Sequence, residues 1–328
     1  MSIYEKIAAA TQNTLRGVEQ DPLYECPPRI EKVEWDALGD MIAARERAFQ
    51  QPRSDQCYTL RLDITGMSTL KKQLVSEGTF SERWCSDFSE IMIAVARDLT
   101  ARYGARWCYT QSDEITLVIV APSKETHPRF QHHRGGKLMK LVSLAAARAS
   151  AVATALLTRL RDRRARERVA PAEWWPQRLY RHLMGTPAEV PMVPLTPVTL
   201  EFDCRMAVWD TALDAFQLVL WRAYDCGVNG VSDAIYNQRG TALMTMDGTS
   251  YKVLMGAKTW VKLKWLERAG LLPMPQHQAY GTLLQYVDRE RAGYNPVTQQ
   301  TVTVMRKEVT RAEVNNIITA VQQGSLIF

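Results

Sequence analysis

Apolar residues recur along this chain with two different periods, and the order in which those periods follow one another predicts the fold. From Ala37 to Phe49 (ALGDMIAARERAF), Leu38, Met41, Ile42 and Ala48 share one face of a helix. The stretch Gln50 to Asp55 breaks that pattern. Tyr58-Thr-Leu-Arg-Leu-Asp-Ile64 then alternates apolar with polar, which predicts a strand carrying Asp63 at its C-terminal end. Residues 82–102 return to helical spacing, with Phe88, Ile91, Met92, Val95 and Leu99 inward. Two strand-like runs follow, Arg106 to Thr110 and Ile115 to Val120, separated only by Gln111-Ser-Asp-Glu114, which reads as a hairpin tip. Lys137 to Leu160 is a long Ala-rich helix. After a Pro-rich, Trp-containing connection, Val198 to Phe202 reads as a fourth strand, and Asp214 to Asp225 as a helix burying Phe216, Val219 and Leu220.

The resulting order, β-α-β-β-α-β, predicts an α+β fold of the ferredoxin-like split βαβ kind. Such a fold sets the first strand beside the central hairpin in an antiparallel sheet. Asp63 and the Ser112-Asp113-Glu114 turn would then meet at one sheet edge. Residues 1–34 read as an N-terminal extension, 35–232 as the sheet domain, and 233–328 as a second, mostly helical lobe. A hairpin, Leu283 to Val287 with Thr301 to Val304, is expected near the end of that lobe.

Composition narrows the class. With 46% hydrophobic and 23% charged residues over 328 positions, the chain is globular, in one large or two ordinary domains. It contains no run of about 18 apolar residues, and its first twenty residues carry acids and no apolar core, so neither a membrane span nor a signal peptide is expected. Six cysteines lie far apart without CxxC or zinc spacing, as reduced thiols in a cytoplasmic protein would. The five histidines (127, 132, 133, 182, 277) likewise lack ligand spacing and read as loop residues.

Charge adds a possible partner. Lys and Arg outnumber Asp and Glu by 41 to 35, and Arg159 to Arg168 packs six arginines into ten residues. Such a stretch is either a solvated helix end or an arm whose guanidinium forks meet phosphates, with Arg161, Arg163, Arg164 and Arg166 as its contacts.

The chemistry is sharper at the acids. Two aspartates from separate segments that converge at strand ends can hold hard divalent cations, and metals about 4 Å apart assist phosphoryl displacement. Magnesium retains water and substrate-phosphate ligands, so one or two protein carboxylates suffice.

At these residues the chain resembles the tRNA-histidine guanylyltransferase family, and most nearly its prokaryotic and viral guanylyltransferase-like members. Arg61-Leu-Asp-Ile-Thr-Gly66 resembles the family's Arg-Ile-Asp-Gly-x-Gly, and Tyr109-Thr-Gln-Ser-Asp-Glu114 resembles Tyr-x-Gln-Ser-Asp-Glu. Leu38-Gly-Asp-Met, Gly135-Gly-Lys-Leu-Met-Lys-Leu-Val-Ser143, Phe202-Asp-Cys-Arg205 and Trp221-Arg-Ala-Tyr-Asp-x-x-x-Asn229 follow the family order, from about Leu38 to Val304. The resemblance implies a polymerase-palm-like ferredoxin domain that extends RNA in the 3′→5′ direction. It implies two Mg2+ ions on Asp63, Asp113 and the Ile64 carbonyl, with ATP and GTP or another NTP as substrates. It also implies a tRNA or tRNA-like partner and a homo-oligomer, tetramer or dimer.

Further roles carry over residue by residue. Glu114 is a third ligand or an organiser behind the ligands. Thr65, Gly66, Met67 and Ser68 would cradle phosphate through their amides, while Ser112 would donate to it or only shape the turn. Lys140 and Ser143 match the second palm helix; Lys140 meets triphosphate or is a snorkelling surface lysine. Arg205, Arg222 and Asn229 suit triphosphate or RNA, or pair with Asp203, Asp210 or Asp225.

Three departures stand out. Ile64 replaces a glycine. Phe80-Ser-Glu-Arg83 replaces a stretch with a phosphate-binding lysine, for which Lys71, Lys72 or Arg83 could substitute. Gly227 stands where eukaryotic members carry histidine, which favours templated 5′-end repair over strict single-guanosine addition. Two other readings remain open: a palm-type cyclase making a cyclic nucleotide, and a non-catalytic RNA-binding protein.

Overall fold

Alternation along β1 (Cys57–Ile64) turns Tyr58, Leu60, Leu62 and Ile64 to one side and Cys57, Thr59, Arg61 and Asp63 to the other, and the rest of the chain is arranged around that division. The computed structural model describes residues 32–81, 85–122, 125, 127–169, 196–239, 244, 251–272, 274–279 and 281–312. Around β1 lie α1 (Lys32–Arg47), α2 (Met67–Ser76), α3 (Ser86–Tyr103), β2 (Trp107–Gln111), β3 (Glu114–Ile119), α4 (Leu138–Val169), β4 (Phe202–Trp209) and α5 (Ala212–Asn237). Short helices α6 (Tyr251–Gly256), α7 (Thr259–Arg268) and α8 (Gln276–Ala279) precede a long hairpin, β5 (Thr282–Asn295) and β6 (Gln300–Arg311).

One sheet results, with strand order β4-β1-β3-β2-β5-β6 and every neighbouring pair antiparallel. The Tyr58 side packs on α3 and α4 through Phe88, Ile91, Met92, Val95 and Leu99 and a stripe from Leu141 to Leu160. The Cys57 side packs on α1 and α5 through Leu38, Ile42, Phe216 and Val219. The mixed helical and antiparallel-sheet class therefore agrees with the patterning. Residues 1–31 of the N-terminal extension, residues 170–195 of the Pro-rich connection with Trp174 and Trp175, and Arg83 lie outside the described residues.

Several boundaries differ, each for a local reason. The hairpin tip is tighter than expected, because Gln111 already pairs with Glu114 and only Ser112 and Asp113 turn. Ser112 takes a left-handed φ of 46°, as the first position of a two-residue hairpin can demand. The fourth strand begins where it was expected to end: Asp203 and Arg205 disguised its start, although Ala207 and Trp209 bury on one side and Met206 and Val208 on the other.

Helix α2 was not foreseen. Gly66, at φ 71°, turns the chain out of β1 and into it. Helix α5 runs through the expected boundary at 232, and Gly230 within it approaches α8 so closely that a Cβ there would lie 1.9 Å from the Gln278 carbonyl oxygen. Among the described residues after 233, the end of α5 packs with α6 and α7 around Val231, Leu254, Leu263 and Leu266. The hairpin of this lobe instead extends the main sheet, with Thr282 to Gln285 pairing along β2. One helix also exceeds expectation: Leu138–Arg168 is long and apolar enough, by length and composition alone, to cross a membrane. Its Leu141, Ala145, Ala149, Ala153, Leu157 and Leu160 stripe is buried against the sheet, as in a helix that packs one face on a core.

Candidate active site

The registers gather acids from three strands into one row. Asp63 stands opposite Glu114 on β3 and opposite Asp203 on β4, so three carboxylates lie side by side across the sheet. The next row on the same face is basic, with Arg61 opposite Arg205. Like charges directly across strands destabilise a sheet unless something neutralises them. The fourth acid arrives through the hairpin tip, because the Ile64 amide donates to the Asp113 carbonyl at 3.2 Å. That contact holds the Ser112-Asp113 turn against the end of β1. Ile64 itself has no positive φ, so the position asks nothing of a glycine.

Three of the four acids have a counter-charge of their own. Asp113 receives Lys71 Nζ at 3.2 Å, and the same ammonium donates to Ser112 Oγ at 2.7 Å. Asp203 pairs with Arg205 at 3.2 Å. Glu114 is buried between two guanidinium groups, Arg222 at 2.7 Å and Arg61 at 3.5 Å. Arg61 is in turn gripped bidentately by Glu46 at 2.7 and 2.6 Å. Burial works against the Arg222 charge, and Glu114 and Asp225 more than offset it. Both Glu114 oxygens are thus engaged, which suits an organiser of the site better than a ligand.

Asp63 differs from the other three. Burial first, then the charges of Asp113, Glu114 and Asp203, push its carboxyl up to about 6. Among the described residues no group of three His, Cys, Asp or Glu is arranged to hold a metal. A pair of aspartates at a strand end, one carrying uncompensated repulsion, still fits a hard cation that completes its shell with water and phosphate oxygens.

The raised carboxyl has a stability consequence. A group whose pKa is higher folded than unfolded adds stability at low pH and loses it as pH rises, here between about 4 and 6. In EDTA at pH 7.5, Asp63→Asn is expected to unfold at higher urea than wild type, by roughly 1–2 kcal/mol after allowing for solvent screening. The gap closes towards pH 4, and magnesium stabilises wild type alone. Equal midpoints at both pH values would contradict this electrostatic account.

Other expected contacts are placed less simply. The Thr65 amide donates to the Glu201 carbonyl at 2.8 Å and cannot also cradle a phosphate. The cradle then reduces to the start of α2, where the first amides, Met67 and Ser68 included, have no partner within their helix. Lys140 is exposed in the first turn of α4, so it has no buried charge to compensate. Ser143 bonds back to the Met139 carbonyl at 2.6 Å. Arg222 and Asn229 both bind Asp225, at 3.1 Å each.

The arginine stretch continues α4. Within it Arg161, 4% exposed, is committed to Glu77 at 2.9 Å and to the Thr196 carbonyl at 2.7 Å, fixing α4 to the end of α2. It is therefore no RNA contact. Arg164 and Arg163 face Asp87 at 2.5 and 3.5 Å, and Arg166 is exposed. Glu46 carried no signal in the sequence, since it sits among alternating charges on α1. Lys71 was one of three alternatives for a missing lysine.

No protein-family profile matches the chain. Over 113 residues, 33% of its length, it is 27% identical to an uncharacterized protein of Acanthamoeba polyphaga mimivirus, spanning 37% of that relative. Among solved structures it is similar to a bacterial tRNA(His) guanylyltransferase-like protein in complex with ATP, at 16% identity and TM-score 0.52. That likeness covers 88% of this chain and all of the other. A related bacterial structure in complex with GTP has 16% identity, coverage of 88% and 100%, and TM-score 0.48. The tRNA(His) guanylyltransferase of Saccharomyces cerevisiae has 15% identity, coverage of 79% and 94%, and TM-score 0.49. At such identities the first of these likenesses is one of fold.

Proposed function

We propose that this chain is a nucleotidyltransferase of the tRNA-histidine guanylyltransferase-like group, adding nucleotides to the 5′ end of a tRNA or tRNA-like RNA by template-directed 3′→5′ extension. The observation that carries the reading is the acidic row, with Asp63 left under charge repulsion beside the Asp113 turn. The strand order β4-β1-β3-β2 with helical crossovers supports a palm-like ferredoxin domain. The fold shared with a bacterial protein in complex with ATP supports nucleotide substrates.

Two magnesium ions held by Asp63, Asp113 and the Ile64 carbonyl would supply charge stabilisation for the attacking and leaving oxygens. The chain's own residues do the rest. Met67 and Ser68 offer helix N-terminal amides to phosphate oxygens. Lys71 neutralises Asp113 in the free protein and turns to the triphosphate when substrate arrives, filling the role of the family lysine missing around Phe80. Glu114, Arg61 and Arg222 fix the hairpin that aims Asp113. Arg163, Arg164 and Arg166 lie in the last two turns of α4, where Arg163 and Arg164 face Asp87, and would hold the RNA body through its phosphates. A homo-oligomer belongs to the same reading. Gly227, in place of histidine, supports template-dictated base choice.

The test is product identity. Labelled NTP, ATP and magnesium are incubated with a 5′-truncated tRNA. RNA longer by the templated nucleotide is expected. A cyclic nucleotide would replace the reading with a cyclase, and no product with bound RNA would replace it with a binding protein.

A further inference from the structure

A cavity of about 350 Å³ opens beside the acidic row, between α1, the start of α4 and β4, the edge strand among the described residues. Its walls are apolar, with Ile42, Met206 and Trp221 prominent, and its charged groups are Glu46, Arg47, Arg61 and Arg205. That mixture, mostly apolar with a few orienting polar groups, is typical of small-ligand sites. Of the charged residues at the site, it takes in Arg61 with its partner Glu46, and Arg205; the two arginines form its border with the carboxylates.

Two side chains make the site unusual. Phe49 is 75% exposed and Met139 69% exposed, and both line this cavity from separate segments of the chain. Large apolar groups presented to water on either side of one opening gain nothing unless a ligand covers them. Phe49 is also held at φ 48°, a left-handed conformation that bulky residues rarely adopt and that stores strain, commonly at functional sites.

The location defines the ligand. Arg61 and Arg205 pair across strands, and Asp63 and Asp203 form the next pair on the same face, two residues or about 7 Å along. A flat apolar group in the cavity would therefore sit beside the phosphate-handling carboxylates at the separation between a nucleotide's phosphates and its base. The volume is suited to a single nucleoside rather than to a polymer. We infer that this cavity seats the base and ribose of a nucleoside triphosphate, with Phe49 and Met139 closing on the base and Arg47 and Arg205 at the sugar-phosphate side. The inference rests on the proposed nucleotidyltransferase reading and names where its mononucleotide is held. It also gives the strained Phe49 backbone a purpose, since the strain presents the ring at the opening.

The test uses the double variant Phe49→Ala/Met139→Ala, which removes only exposed groups and so leaves the core intact. Calorimetric affinities for ATP, GTP and inorganic tripolyphosphate are compared with wild type. Loss of stacking predicts nucleotide binding weakened roughly 5- to 50-fold, with tripolyphosphate affinity unchanged. Undiminished ATP and GTP affinity in the variant would overturn the cavity assignment while leaving the enzyme reading standing. Equal losses for tripolyphosphate and nucleotide would also overturn it, because the cavity would then act on phosphate. Wild-type protein that binds none of the three probes would remove both readings together.

Discussion

Asp63→Ala and Asp113→Ala are each expected to lower nucleotidyl transfer by roughly a thousandfold or more without unfolding the protein. The kinetic effect follows from losing several kcal/mol of charge stabilisation at the reacting phosphate, each 1.4 kcal/mol being tenfold in rate. The structural tolerance follows from where the carboxylates sit. Asp63 lies in a row of like charges whose repulsion already pushes its carboxyl to about 6, so its removal relieves the sheet. Asp113 occupies a hairpin turn, and among the described residues its side chain meets Lys71 and Ser112. A urea midpoint at or above that of wild type for Asp63→Ala, and a folded Asp113→Ala protein, both with lost activity, separate this from ordinary damage. Leu60, fully buried in the core, provides the contrast: truncated to alanine, it loses stability by about 2–5 kcal/mol. An Asp63→Ala protein with near wild-type turnover would remove the carboxylate from the chemistry.

The second large effect falls on stability. Arg222→Leu takes away the guanidinium 2.7 Å from Glu114 and leaves that buried carboxylate with Arg61 alone, at 3.5 Å. Breaking a buried pair from one side costs about 3–5 kcal/mol, because the remaining charge is desolvated without compensation. Adding Glu114→Gln should recover much of the loss, and a double-mutant cycle in urea measures the coupling. If Arg222→Leu costs under about 1 kcal/mol, or if the two losses simply add, Glu114 is not held in the way the structure describes.

How much of this was legible beforehand depended on which force set each feature. Strand β1, helix α3 and the central hairpin were readable because burial on one side imposes a period on the sequence. The meeting of Asp63 with the Ser112-Asp113 turn followed from the order of those elements. Strand β4 was misplaced because Asp203 and Arg205, useful at the site, break its alternation at the open end. The attachment of β5 to β2 depends on pairing across more than 170 residues, which no local pattern encodes. Pairings such as Arg61 with Glu46, or Arg161 with Glu77, were equally invisible, since a guanidinium carries the same letter whether it holds RNA or another helix. The arginine stretch therefore read as one arm, although its first inward residue is a structural tie.

The central claim is that Asp63 and Asp113 serve nucleotide addition at an RNA 5′ end, and the position of the added nucleotide tests it most directly. A 5′-monophosphorylated tRNA lacking its first nucleotide is incubated with the protein, ATP, magnesium and GTP labelled at the α-phosphate, opposite a template cytidine. The label should appear at the new 5′ terminus of a product one nucleotide longer, and should be absent with EDTA or with Asp113→Ala. Label at the 3′ end, or a 5′ product that persists in the Asp113→Ala protein, would contradict the account.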